Sequence, residues 1–189
     1  RLSLAARNEE RLRTVAHACR NNGAETAMIL LDVTDAEAVK SWIEGIDEER
    51  PIDLIIANAG LSAGTAGSLT GENAHQVGKL FAVNLNGVLN TINPVLPLMI
   101  RRGKGHIALM SSLAAFRGWP GAPAYCASKA AVKVYGEGLA GAVASTGVKV
   151  HVICPGFVKT PMTSVNHYKM PFIISAERAA SIISRGINM

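Results

Sequence analysis

Tyr125 and Lys129 stand four residues apart in a stretch, Tyr125 to Val143, whose pattern is helical, so both side chains project on one helix face. A phenol with an ordinary pKa of about 10 is a poor base at neutral pH. A neighbouring ammonium favours its phenolate, and such a pair can pass a proton to or from a reacting oxygen. The bland alternative is an amphipathic Tyr–Lys surface pair. Ser111 and Ser112 follow an apolar run, His106 to Met110, read as a strand. The carboxyl end of such a strand is where α/β folds bind ligands. Strand alternation sends the two hydroxyls in opposite directions, so only one of them can face the phenol. Asn84 falls inside another helical stretch, where an amide has below-average propensity; by residue type alone it is a solvated helix position.

The elements that carry these groups alternate along the whole chain. Leu2 to Ala6 predicts a strand, followed by a helix from Asn8, its N-cap, to Cys19, with Glu9 and Glu10 in the first turn. Ala27 to Leu31 predicts the next strand, and Thr34 with Glu37 a capping box opening a helix to Asp47. Asp53 to Ala57 is a strand, and Thr70 caps a long helix running toward Met99, bent near Pro94 and Pro97. His106 to Met110 and Val148 to Ile153 are strands on either side of the Tyr125 helix, and Ser175 caps a last helix to Ile187. Strands buried on both faces, each followed by a helix, predict an α/β, doubly wound parallel sheet in a single domain.

Composition excludes several classes. The chain has 189 residues, 49% of them apolar and 17% charged, which excludes disorder and predicts a well-filled core. A net charge of +5 fits a solvated surface rich in Lys and Arg, and none of the aromatics interleaves with a basic run, so no nucleic-acid partner is expected. Cys19, Cys126 and Cys154 are odd in number with no C-x-x-C pair, which argues against a disulfide framework or zinc site and for a reducing cytoplasm. His17, His75, His106, His151 and His167 show no paired ligand spacing, so no metal is expected. The most apolar run, Val88 to Ile100, is interrupted by Asn90, Asn93, Pro94 and Pro97, and no membrane span is expected. Arg1 begins inside the first strand pattern, so no signal peptide is expected within these residues.

Ser111-Ser112 followed by Tyr125-Cys126-Ala127-Ser128-Lys129 resembles the short-chain dehydrogenase/reductase family, whose hallmark is Tyr-x-x-x-Lys on a Rossmann-type sheet. Four further pieces fall in the family's order: Asp32-Val33, Asn58-Ala59-Gly60, Asn84-Leu85-Asn86-Gly87 and Pro155-Gly156. One Tyr-x-x-x-Lys alone would be weak, whereas five pieces in sequence, each at a strand or helix end, are specific. The resemblance covers essentially the whole chain. It departs at the front, where the family's first strand and glycine-rich turn have no counterpart. Gly60, Gly64 and Gly67 superficially resemble a phosphate loop, but the third glycine is misplaced and the segment reads as an ordinary connection. In the family the first strand lies between those beginning near Leu2 and Asp53. Its lack would leave unpaired backbone groups at a cost of about 1–3 kcal/mol each. The 189 residues are therefore expected to be part of a longer natural chain, incomplete in front and after Met189.

The resemblance implies a role for each matching residue. Tyr125 becomes the general acid/base, Lys129 its pKa tuner and ribose anchor, and Ser112, with Ser111 as the alternative, the donor to the substrate oxygen. Asn84, with Asn86 as a competitor, would hold through its backbone a water linking Lys129 to solvent. Asn58, Ala59 and Gly60 would line the adenosine half, with Val33 beside it. Asp32 would meet the adenine amine, or else simply cap the turn before Thr34. Pro155-Gly156 would turn the chain over the nicotinamide, and Thr160 would contact the cofactor. Arg7 stands where NAD-preferring relatives carry an acid, which favours the 2′-phosphate of NADP, with NAD(H) possible and a solvated flank as the plain reading of Arg7. Met162, Val165, Tyr168, Met170 and Phe172, with Trp119 nearby, would form an apolar substrate lid. The expected protein is an NADP(H)-dependent oxidoreductase acting on a small carbonyl or alcohol substrate, and a homodimer or homotetramer. A non-catalytic nucleotide-binding sensor or scaffold is the alternative.

Overall fold

Five strands, all parallel to their partners, form the frame of the computed structural model, which describes residues 1–64, 69, 71–164, 166 and 168–187. β1 (Leu2–Ala6) leads to α1 (Glu9–Asn21), β2 (Thr26–Leu30) to α2 (Ala36–Glu49), and β3 (Leu54–Ala57) to α3 (Ala74–Phe81). A π-helical turn, Ala82–Asn86, continues α3 into α4 (Gly87–Ile92), and α5 (Leu96–Arg102) follows. β4 (Gly105–Met110), a 3-10 turn at Leu113–Ala115, α6 (Pro123–Ala142), β5 (Val148–Ile153) and α7 (Ala176–Ile187) complete the order. The expectation of an α/β fold with parallel strands holds. Thr70, Gly67, Val165 and His167 lie outside the described residues.

The strands form two ladders. β1 pairs with β2 in the register Leu2 to Thr26 and Ala6 to Leu30. β4 lies between β3 and β5, with Leu54 opposite His106 and Gly105 opposite Val148. Among the described residues no ladder joins β1 to β3.

Several helix starts differ from expectation. Asn8 caps α1 by accepting from the Arg11 N–H, and Ser175 accepts from Arg178 at the start of α7, as expected. The N-cap of α2, however, is Asp35, which accepts from the Ala38 N–H at 3.0 Å. Thr34 is unavailable because its N–H and hydroxyl both donate to Asp32. At α3 a capping box joins Asn73 and Gln76, not Thr70. The long helix is not one rod. It passes through the π-helical turn and breaks at Asn93–Val95, where Pro94 cannot continue the ladder.

The core lies between β3–β5 and the helices α2, α4, α5 and α6. Ile92, Val95, Met99, Ile107, Leu109 and Val132 are completely buried there. α6 presses close to the sheet because Gly136 has no side chain. A Cβ there would lie 2.5 Å from Cγ2 of Val152, so any larger residue would force the helix outward. Arg102 ties α5 to the end of α2, bonding Asp47 at 2.6 Å and the Ile52 carbonyl at 2.9 Å. Within each ladder the parallel strands share a carboxyl edge: Arg7 and Asp32 lie just beyond that of β1–β2, and Asn58, Ser111 and Pro155 just beyond that of β3–β5.

Candidate active site

α6 brings Tyr125 and Lys129 to the carboxyl edge. Lys129 is 5% exposed, its Nζ donating to the Met110 carbonyl at 2.9 Å and lying 6.0 Å from the Tyr125 ring centre. Burial pushes the Lys129 ammonium down to about 8. Burial also raises the Tyr125 phenol, while the Ser112 hydroxyl pulls it back and Cys126 and Tyr168 add to the rise. The sequence predicted a phenol shifted toward phenolate by Lys129. The protein alone does the reverse, because loss of water outweighs the effect of an ammonium this far from the ring.

The two serines divide as strand alternation requires. Ser111 is buried and donates to the Lys129 carbonyl at 2.8 Å, clasping α6 to the end of β4. Ser112 faces Tyr125, and its Oγ also accepts from the Ala114 N–H at 3.1 Å, which starts the 3-10 turn.

Asn84 is fully buried in the π-helical turn, not solvated. Its Oδ1 accepts from the Leu61 N–H at 2.7 Å, and its Nδ2 donates to the Leu61 carbonyl and to Ser128 Oγ, at 2.9 and 3.0 Å. Ser128 Oγ in turn donates to the Tyr125 carbonyl at 2.8 Å. Asn84 thus pins both the segment after β3 and the turn of α6 that carries the Tyr–Lys pair. Ser128 had no role in the sequence reading. Its signal was its place three residues after Tyr125, on the same helix face. π-helical turns recur at functional sites, and this one reaches through Asn84 to Ser128, the residue before Lys129.

The remaining candidates line the carboxyl edges of the two ladders. A Cβ on Gly60 would lie 3.3 Å from Lys129 Nζ and 3.5 Å from Asn84 Oδ1, with the Asn58 carbonyl at 3.9 Å. Ala59, half-buried, sits between the two. The Val33 carbonyl accepts from Asn90 Nδ2 at 2.9 Å, and its side chain packs on Gly87. Arg7 and Asp32, given separate cofactor roles by the sequence, pair at 3.2 Å, each with its side chain well exposed. Asp32 is held below the usual carboxylate range, chiefly by the Thr34 N–H. The Pro155 carbonyl accepts from the Leu113 N–H at 2.9 Å, and Gly156 packs on the Leu113 side chain. Thr160 is fixed by Thr163, whose hydroxyl accepts its N–H at 3.0 Å.

An aromatic cluster centres on Tyr168, which is near enough to Tyr125 to add to the rise of its phenol. The Tyr168 ring lies 6.3 Å from Trp119 and meets Phe157 edge-on at 6.2 Å. Beside it, a cleft of about 500 Å³ is lined by Phe116, Trp119, Pro123, Cys126 and Ala130. Among the described residues no group of three His, Cys, Asp or Glu could hold a metal, and no helix is long and apolar enough to cross a membrane.

Comparison with known proteins gives a consistent result. The short chain dehydrogenase family description matches residues 1–170. An oxidoreductase of Myxococcus xanthus is 36% identical over 99% of this chain and 74% of its own. One of Staphylococcus saprophyticus is 36% identical over 85% of this chain and 68% of its own. Among solved structures, an actinorhodin polyketide ketoreductase with NADPH superposes with a TM-score of 0.87 and 26% identity, over 99% of this chain and 80% of that one. A gluconate 5-dehydrogenase from Burkholderia cenocepacia, in complex with NADP and tartrate, gives 0.76 and 27%, over 85% of this chain and 63% of that one.

Proposed function

The chain belongs to the short chain dehydrogenase family, and from that premise we propose that it is an NADP(H)-dependent oxidoreductase that moves a hydride between C4 of nicotinamide and the carbonyl carbon of a small substrate. The observation that carries this reading is the buried Lys129 ammonium beside Tyr125, with a neutral carbonyl as its hydrogen-bond partner. A binding module has no need of so costly a group, whereas a proton-transfer site does.

The residues fit a nicotinamide nucleotide on two counts. Gly60 keeps open the space in front of Lys129 that a side chain would fill. Arg7 offers a half-exposed guanidinium at the end of β1, where Ala6-Arg7-Asn8 itself carries no acid, and its exposed pairing with Asp32 is weak enough to give way to a phosphate. Arg7, Asp32, Val33, Asn58, Ala59 and Gly60 would hold the adenosine half, and Lys129, Pro155, Gly156 and Thr160 the nicotinamide half. When bound, the nicotinamide supplies the hydride chemistry. The chain supplies the proton: burial holds Tyr125 in the protonated form that carbonyl reduction consumes. Ser112 donates to the substrate oxygen and orients it. Lys129 anchors the ribose and favours the phenolate left after transfer, and the Asn84 backbone holds a water that resupplies the proton from solvent.

Trp119, Phe157 and Tyr168 favour an apolar ketone or secondary alcohol over a charged acid. The solved relatives bound to NADP and NADPH support NADP over NAD. The small-residue α6 with α4 and α5 would form the interface of a homodimer or homotetramer, and one further parallel strand would fill the space between β1 and β3. Three free thiols fit a cytoplasmic protein.

The test is titration of the full-length protein with NADPH and NADH, followed by turnover of acetophenone and ethyl acetoacetate by the wild type and Tyr125→Phe. Tighter NADPH binding, with turnover lost in the variant, is the expected result. Undiminished turnover by Tyr125→Phe would overturn the reading.

A further inference from the structure

α6 carries both groups of the proton-transfer pair, yet it has no cap of its own. Ala122, at its N-cap, brings no side-chain acceptor, Pro123 follows, and no acid stands in the first turn. The amides of Ala124 and Tyr125 are the donors that such a helix start leaves unpaired. Glu72 reaches them from another part of the chain. Its two carboxylate oxygens each lie 3.2 Å from the Ala124 nitrogen, and Oε1 lies 3.4 Å from that of Tyr125. Glu72 is 8% exposed, in the approach to α3 rather than on α6. Gly71 beside it takes φ +80°, with Pro123 packed against it, and Asn73 after it opens the capping box of α3. The carboxylate is thus held from both sides at the positive end of the α6 dipole. Desolvating a carboxylate is costly, and the two N–H donors with the helix field offset that cost.

We propose that Glu72 is a positioning residue for Tyr125, capping α6 from outside the helix and fixing the turn on which the phenol is carried. The proposal rests on the assignment of Tyr125 as the general acid. A proton-transferring group must hold its place to within a fraction of an ångström, and Glu72 bonds the backbone of Tyr125 itself. No local pattern points to it, since Glu72 and Ala124 are 52 residues apart.

The experiment compares Glu72→Ala, Glu72→Gln and Tyr125→Phe in the full-length protein. NADPH-dependent reduction of acetophenone is measured together with amide hydrogen exchange across the first turn of α6. Glu72→Ala is expected to lower kcat about tenfold, with KM for NADPH within about twofold, and to speed exchange at Ala124 and Tyr125 about tenfold or more. Glu72→Gln, which keeps an acceptor oxygen, is expected to recover most of both. Unchanged exchange at these two amides in Glu72→Ala would overturn the proposal, as would a rise in KM for NADPH with kcat intact. If Glu72→Ala does not fold, Glu72→Asp, whose shorter side chain withdraws the acceptor from the two amides, takes its place: a lower kcat with faster exchange at Ala124 and Tyr125 is expected, and wild-type values of both overturn the proposal. Full turnover by Tyr125→Phe would instead overturn the general-acid assignment, and the exchange result would still decide whether the cap exists.

Discussion

Gly60 and Lys129 meet at the carboxyl edge of the sheet, so closely that a Cβ on the glycine would sit 3.3 Å from the lysine Nζ. The same Cβ would lie 3.5 Å from Asn84 Oδ1, so it would press on two polar groups at once. Lys129 can give way only by weakening its 2.9 Å bond to the Met110 carbonyl. Gly60→Ala is therefore expected to lower kcat/KM about tenfold while moving Tm by less than about 3 °C. Wild-type kcat/KM in this variant would show that the ammonium has room to spare.

Arg7 and Asp32 form the second pairing that matters for function. The β1–β2 register sets Ala6 opposite Leu30, which places residues just beyond the two strand ends side by side. At 3.2 Å and well exposed, the pair contributes little to stability, so Arg7 is free to turn toward a phosphate. Arg7→Ala is expected to weaken NADPH binding about tenfold or more and to leave NADH binding within about twofold. Fluorescence titration with both nucleotides measures this, and equal losses for the two would remove the 2′-phosphate from the explanation.

The strands and the Tyr125–Lys129 pair were legible because each depends on neighbours in sequence: short apolar runs between turns, and a spacing of four on one helix. What was not legible was which of several neighbouring acceptors wins a cap, and whatever depends on partners far along the chain. Thr34 lost its capping role because Asp32 takes its hydroxyl and N–H, leaving Asp35 as the next acceptor. Asn73 and Thr70 are both plausible caps by type, and Gln76 completes a box with Asn73. The π-helical turn has no local signature; it goes with burial of the Asn84 amide against Leu61 and Ser128, 23 and 44 residues away. The direction of the Tyr125 shift follows from burial, which local spacing does not reveal.

Asn84 predicts a stability effect. Removing its amide takes the partner from the partly buried Leu61 N–H and carbonyl, and opens a void behind Ser128 where Asn84 itself is fully buried. Asn84→Ala is expected to cost about 3 kcal/mol, roughly 6–12 °C in Tm, besides any loss of turnover. A Tm within about 2 °C of wild type would mean that water replaces the amide at no cost.

Lys129 sets stability and activity against each other. Its ammonium titrates near 8 when folded and near 10.5 when unfolded, because burial disfavours the charge. Between these values the unfolded chain binds more protons, so stability rises with pH across that window and the penalty is fully present below it. That shift corresponds to about 3 kcal/mol at neutral pH, partly offset by the bond to Met110. Lys129→Met removes the charge and keeps the volume, so at pH 7 its Tm is expected to stay level or rise by a few degrees, roughly 2–4 °C per kcal/mol recovered. Its stability should also lose the wild-type rise above pH 8. Turnover should fall at least a hundredfold, or about 2.7 kcal/mol of transition-state stabilisation. In the wild type, kcat/KM for reduction should be level below about 8 and decline above it as the free enzyme loses this proton. A Tm lowered by Lys129→Met at pH 7 would show that the ammonium is stabilised by partners other than the Met110 carbonyl. The lysine would then be structural, and the proton-transfer reading would lose the observation that carries it.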